Sequence, residues 1–350
     1  MARAEGRRGL PRAARWSRCE PATLNNQKAP ARLRTAGFVV GKMVGQRAMI
    51  IENQAMLTDA VIAAVSRVED ARLREILTAL VRHLHGLVRD TCLTERECQE
   101  AVRLIVAMGQ KTTPSHNEVV LMAGSLGVSS LVCLLNNGNQ GESETQANLL
   151  GPFWRDDQPL SASGDTLVRS PTPGPGLLVK VSLQDINGNP IAGAEVDVWH
   201  SSPEGLYENQ DPGQAEMNLR ARFISDEAGR FHFRSVKPAG YPIPVDGPVG
   251  EFVRATRRHN YRPAHLHFMI CKAGFKTLIS QIYSPDDPHL DSDVQFGVTR
   301  ALIGDYIRHD QPSSELGFAA PWYSLDQHFA LERGEARRPE APIRAKAPEV

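Results

Sequence analysis

Two histidines one residue apart, His265 and His267, stand in the stretch RPAHLHF at residues 262–268. In an extended strand, residues i and i+2 project from one face, so a pair so placed can offer two imidazoles to one metal ion. The segment reads as a strand, since it runs from Pro263 into the apolar run FMI. A second His-Leu-His, at His83 and His85 within RHLHG, lies in a helical pattern. There side chains two apart point about 200° from each other, so these two cannot share an ion and read as ordinary surface histidines.

Two histidines on one sheet face also occur with no metal, so further donors matter. His259 lies in a polar turn, His200 follows Trp199 on another strand, and His289 follows Pro288 in a loop. None has a convincing spacing. The five cysteines (Cys19, Cys92, Cys98, Cys133 and Cys271) are odd in number and lack CxxC spacing. They give neither a disulfide framework nor a zinc knuckle, and fit a reducing cytoplasm. A two-histidine, one-carboxylate site is one reading, but spacing does not choose among the acids. Tyrosines are another. Tyr207 in PEGLYENQD and Tyr241 in KPAGYPIPVDGP sit in Gly/Pro-bounded turns that need no bulky ring for packing. The plainer reading of either is a ring whose hydroxyl bonds the backbone.

The elements that must position these residues fall into two textures. Residues 56–137 are helical in pattern, with LREILTALVRHLHGLV periodic at three and four, and Thr94 standing three before Glu97 as a capping box. A further apolar stretch, EVVLMAGSLGVSSLVCLLNN, ends at Asn-Asn-Gly. After the polar connector NNGNQGESETQ, short β-branched runs alternate around turns, as in GLLVKVSLQDINGNPIAGAEVDVWH and FISDEAGRFHFRSV. The spacing predicts a mainly β protein, with an antiparallel β-sandwich behind an N-terminal α-helical domain. A final helix is expected over about 292–308. The expected division is 1–50 as a basic, disordered extension, 51–140 as the helical domain, 141–333 as the sandwich and 334–350 as a disordered tail.

Lys plus Arg equals Asp plus Glu at 40 each, which argues against a nucleic-acid or membrane-surface role. No apolar run approaches the roughly 18 residues of a membrane span.

Separate motifs occur together in one order: ANLLGPFW (147–154), GAEVDVWHSSPEGLYENQD (193–211), FRSVKPAGYPIPVDGPVG (233–250), RPAHLHFMI (262–270) and LISQIYSPDDPHLDSDVQFGV (278–298). From about residue 56 to 310 the chain resembles the intradiol ring-cleavage dioxygenases, most closely the hydroxyquinol and catechol 1,2-dioxygenase group. The resemblance implies a sandwich catalytic domain and a helical dimerisation domain forming a homodimer, with phospholipid between the helical domains. It implies one non-haem Fe(III) held by Tyr207, Tyr241, His265 and His267, with Arg262 and Gln281 on the substrate side and Tyr241 as the departing ligand. Leu121, Gly151, Pro152, Phe153, Ile243, Pro244 and Val245 take the positions that line the family's pocket.

The chemistry of that ligand set is coherent. Forming a phenolate at neutral pH costs about 4 kcal/mol, which a trivalent cation offsets. Hard anionic donors in turn suit Fe(III). The implied reaction cleaves an aromatic diol or triol with O2 between its two hydroxyl-bearing carbons, giving a cis,cis-muconate or maleylacetate. Arg262 would stabilise negative charge developing on the ring. LGPFW and YPIPVDGP look more like hydroxyquinol enzymes. One departure is Gly124, where those enzymes tend to carry an acid that could bond the third hydroxyl. Catechol or chlorocatechol 1,2-dioxygenase is the alternative. A prealbumin-like binding module is the non-enzyme reading, and it covers only residues 177–236.

Overall fold

The computed structural model describes residues 50–113, 116–136 and 144–343. The expected extension, but for residue 50, lies outside these, as do residues 344–350 of the tail. Internal contacts divide the chain into two compact units, Met1–Ala101 and Val102–Val350.

The first unit holds α1 (Gln54–Val65), α2 (Ala71–Asp90) and the start of α3 (Glu95–Lys111). Each helix begins where a side chain can take up free backbone N–H groups. Asn53 caps α1 and Asp70 caps α2, accepting from Leu73 N at 2.7 Å. The capping box forms as expected, with Glu97 Oε2 accepting from Thr94 N at 2.9 Å. His83 and His85 both lie on α2, and His85 Nδ1 meets Thr58 Oγ1 of α1 at 2.9 Å. Leu73, Ile76, Leu80, Leu84 and Leu87 are spaced by three or four along one face of α2 and are all exposed.

The second unit continues α3 and adds α4 (Glu118–Ser125) and α5 (Val128–Asn136). The long apolar stretch is broken at Gly127, whose φ of +72° suits glycine best. Two four-stranded sheets follow, with strand orders β4-β1-β10-β9 and β3-β2-β7-β8. The first comprises β1 (Gly176–Asp185), β4 (Arg230–Val236), β9 (Ile307–His309) and β10 (Trp322–Leu331). The second comprises β2 (Glu195–His200), β3 (Arg220–Ile224), β7 (His265–Cys271) and β8 (Leu278–Tyr283). All these pairings are antiparallel except β1 with β10, which is parallel. That is open to β10 because it arrives after a long connection rather than a hairpin. A short ribbon of β5 (Tyr241–Pro242) and β6 (Tyr261–Arg262) lies beside α6 (Pro248–Ala255).

The sandwich core follows strand alternation. In β1, Leu177, Val179, Val181 and Leu183 are buried. They join Phe231, Phe233 and Phe329 and, from the other sheet, Val196, Val198, Leu266, Phe268 and Ile270. The turn before β4 requires glycine: a Cβ on Gly229 would stand 2.4 Å from Leu183 O.

Two expectations fail. No helix covers 292–308; the segment holds a 3-10 turn at Arg300–Leu302 and then β9. The Asp293 carboxylate takes the backbone N–H groups of Gln295 and Gly297, and Phe296 adopts φ +55°, a geometry that a helix start cannot hold. The tail is also not wholly disordered. Residues 334–343 are ordered without regular structure, Ile343 is buried, and Arg338 pairs with Asp156 and Glu195. Its composition hid one apolar anchor and one well-placed cation.

Candidate active site

The sandwich turns one face of β3-β2-β7-β8 away from the core, and the candidate residues stand there. His265 and His267 lie two apart on β7, as the strand period requires. Across the ladder, His265 is opposite Tyr283, and His267 is opposite both Gln281 and Trp199. Directly paired residues share a face. One sheet register therefore gathers two imidazoles, an amide, a phenol and an indole.

The tyrosines arrive from outside the sheet. Tyr207 sits in the turn after β2 and Tyr241 opens β5, and both are almost wholly buried. Their rings meet edge to face, centroids 5.3 Å apart, and Phe153 stacks on Tyr207 at 4.4 Å. A buried ion-pair network backs Tyr207: Glu208 accepts from Arg155 at 2.8 Å and from Arg220 at 3.0 Å. The Arg220 guanidinium lies 5.9 Å from the centre of the Tyr207 ring.

Nitrogen and oxygen donor atoms converge on the His267 Nε2 edge. His267 Nε2 lies 3.1 Å from His265 Nε2 and 3.0 Å from Tyr207 Oη. His265 Nδ1 faces the Pro263 carbonyl at 2.7 Å, so it carries the ring's proton and leaves Nε2 a bare lone pair. His267 Nδ1 is buried without a partner. Burial, then the neighbouring Arg262 charge, lowers the His265 pKa to about 3, and burial drives that of His267 well below the usual histidine range. Both rings are neutral donors at pH 7. Burial, then Tyr241, raises the Tyr207 pKa well above its usual value, so without a cation it stays a phenol. Imidazole–metal bonds are about 2.0–2.1 Å long, so two such donors at a right angle on one ion stand about 3 Å apart. The donor set fits a cation. Among the described residues no three His, Cys, Asp or Glu side chains could hold one, and the oxygen beside the two imidazole Nε2 atoms is Tyr207 Oη, 3.0 Å from that of His267. His200 is not available, because its Nδ1 and Nε2 are bonded to Ser201 O and Ser235 Oγ, both at 2.7 Å.

Arg262 and Gln281 form the next layer. Arg262 is fully buried and clamped by Asp293, with Nε to Oδ1 at 3.1 Å and Nη2 to Oδ2 at 3.0 Å. Its Nη2 also donates to Gln281 Oε1 at 2.9 Å and Tyr283 Oη at 2.8 Å. Nη1 is buried with no partner. Burial opposes the charge, but Asp293 and the nearby phenols hold the Arg262 pKa well above its usual value. Gln281 Nε2 donates to Leu149 O at 2.7 Å. The site thus sets a fixed cation with one free donor beside a cluster of lone pairs.

The sequence profile of a family described as Dioxygenase matches residues 149–323, and one described as Catechol dioxygenase N terminus matches residues 70–144. Hydroxyquinol 1,2-dioxygenase of Rhizobium sp. (strain MTP-10005) is 39% identical over 83% of this chain and 99% of its own length. The chain belongs to the intradiol ring-cleavage dioxygenases. Catechol 1,2-dioxygenase of Candida albicans (strain SC5314) is 32% identical over 79% of this chain and 91% of its own. The crystal structure of hydroxyquinol 1,2-dioxygenase from Pseudomonas putida DLL-E4 superposes with a TM-score of 0.72, at 37% identity, covering 80% of this chain and 98% of that one.

In this intradiol dioxygenase, a cleft of about 710 Å³ lies beside the cluster and includes Leu121, Gly124, Leu149, Gly151, Pro152 and Gln295 in its lining. Gly151 joins cleft to cluster: a Cβ there would stand 3.2 Å from His267 Cε1. Of the expected pocket residues, Leu121, Gly151 and Pro152 line this cleft, while Phe153 and Ile243 pack among Tyr207 and Tyr241. Pro244 and Val245 are half-buried and do not line it. A second cleft of about 620 Å³ reaches the cluster only through Asp293, whose carboxylate is already committed to Arg262. Ala341 and Pro342, from the tail expected to be disordered, line the first cleft.

Sequence reasoning missed Asp293, Trp199, Tyr283 and Gln295. Asp293 was hidden by the expected helix. The other three carried no signal beyond their place opposite or near the two histidines.

Proposed function

We propose that this dioxygenase holds one non-haem Fe(III) on Tyr207, Tyr241, His265 and His267 and cleaves hydroxyquinol, or a close relative, with O2 between the two hydroxyl-bearing carbons. The observation that carries the metal reading is the convergence of three buried donor atoms, His267 Nε2 standing 3.1 Å from His265 Nε2 and 3.0 Å from Tyr207 Oη. Two phenolates and two neutral imidazoles suit a hard trivalent ion. When bound, Fe(III) withdraws electron density from a catecholate and makes its ring carbon reactive toward O2.

The chain's own residues do the rest. Tyr241, if held as a phenolate by the iron, would take one substrate proton on its Oη as the diol binds, the second leaving to solvent, and Tyr207 stays fixed by Phe153 and the Arg220 network. Arg262, anchored by Asp293, turns its free Nη1 toward negative charge developing on the ring, a stabilisation made in advance of the reaction. Gln281 holds Arg262 and Leu149 in register. The product is a ring-opened dicarboxylate, maleylacetate from hydroxyquinol or cis,cis-muconate from catechol.

The curated relatives named hydroxyquinol 1,2-dioxygenase support the triol as substrate. The test is O2 uptake by iron-loaded protein with hydroxyquinol and with catechol. A higher kcat/KM for hydroxyquinol is expected, and a strong catechol preference overturns the substrate assignment. The exposed apolar row on α2 supports a homodimer through the helical domain, with phospholipid as a candidate filler. The reading includes a cytoplasmic location, and the four described cysteines form no disulfide.

A further inference from the structure

We propose that the side-chain amide of Gln295 is a specificity-determining group, which hydrogen-bonds a polar substituent the ring carries beyond its two adjacent hydroxyls. This deepens the reading above and rests on it.

Gln295 lines the cleft that Gly151 joins to His267, yet it is only 5% exposed. Among the described residues its amide makes no hydrogen bond, and it opens onto the cleft, where a ligand can reach it. Its backbone is pinned on both sides: the N–H donates to Asp293 Oδ1 at 3.1 Å, and the carbonyl accepts from Ser130 Oγ at 2.8 Å. The main chain that carries the amide is therefore set before any ligand arrives. Gly124 makes room for it. A Cβ on Gly124 would stand 3.0 Å from Gln295 Cδ, 3.1 Å from Nε2 and 3.2 Å from Oε1, so the amide lies flat over the glycine. The nearby lining is apolar at Leu121, Leu149 and Pro152. A ring whose diol edge meets the cluster turns its other edge to this lining, where the uncharged amide can both donate to and accept from a phenol hydroxyl. The backbone tie to Asp293, the residue that clamps Arg262, couples the reader of the far edge to the group that faces the reacting edge.

The test uses the iron-loaded full chain with 1,2-dihydroxybenzene and 1,2,4-trihydroxybenzene. Gln295→Leu should lower the triol-to-diol ratio of kcat/KM by about 10- to 100-fold, the usual size for a lost bond to a substrate hydroxyl. The ratio of anaerobic dissociation constants should move by a similar factor. Gly124→Ala, which keeps Gln295 but presses a methyl on its amide, should shift both ratios the same way. Ratios unchanged in both variants, with wild-type turnover intact, overturn this proposal alone. Iron-loaded wild type that turns over neither ring overturns the reading beneath it, and the proposal with it.

Discussion

Trp199 lies flat on His267, with ring centroids 4.5 Å apart and planes 9° from parallel. The two are directly paired on β2 and β7, and Gly151 closes on the Cε1 edge of the same imidazole. His267 is thus fixed by a ladder partner and by a glycine with φ +73°. Gly151→Ala adds a methyl 3.2 Å from Cε1 in the left-handed region. It should cost about 1–2 kcal/mol and reduce bound iron. Urea denaturation and metal analysis check this; wild-type stability with full iron would count against it.

The Arg262–Asp293 clamp predicts an effect on rate. Asp293→Asn removes the carboxylate that two guanidinium nitrogens hold. A kcat loss of about 10²- to 10³-fold is expected, with KM changed only a few-fold, because the charge on the ring develops after binding. Steady-state kinetics with O2 uptake decide it, and a KM effect alone would make the clamp a binding device.

His200 predicts a pH dependence of stability. Burial lowers its pKa from 6.5 to about 4. Between those values the unfolded chain binds a proton that the folded one does not, so stability rises with pH across that window and falls on acidification. The His200 contribution is about 3 kcal/mol over the window. Urea midpoints from pH 4 to 7 should therefore show a shallower slope in His200→Gln than in the wild type. Parallel slopes would refute the assignment.

The tail gives a contrast in stability. Ile343 is 1% exposed, and truncation to alanine should cost about 2–4 kcal/mol. Arg338 keeps 27% side-chain exposure, and its partner Asp197 also binds Arg222, so Arg338→Ala should cost no more than about 1 kcal/mol. Equal costs by thermal denaturation would contradict this order.

Much of this architecture is legible in the chain. The strand period puts His265 and His267 on one face and the helix period keeps His83 and His85 apart, because both follow from backbone geometry alone. The tyrosines come from turns, where no period operates, and only a family's motifs single them out. Asp293 and Gln295 lie in a segment whose periodicity imitates a helix, and an Asx turn decides otherwise. Gly124 reads as a missing acid in sequence; only packing reveals the amide that lies over it.

The most direct test of the four-ligand centre is the visible and resonance Raman spectrum of the iron-loaded protein. A broad charge-transfer band with tyrosinate vibrations is expected, altered in Tyr207→Phe and again in Tyr241→Phe. A colourless protein carrying one ferric ion per chain would contradict it.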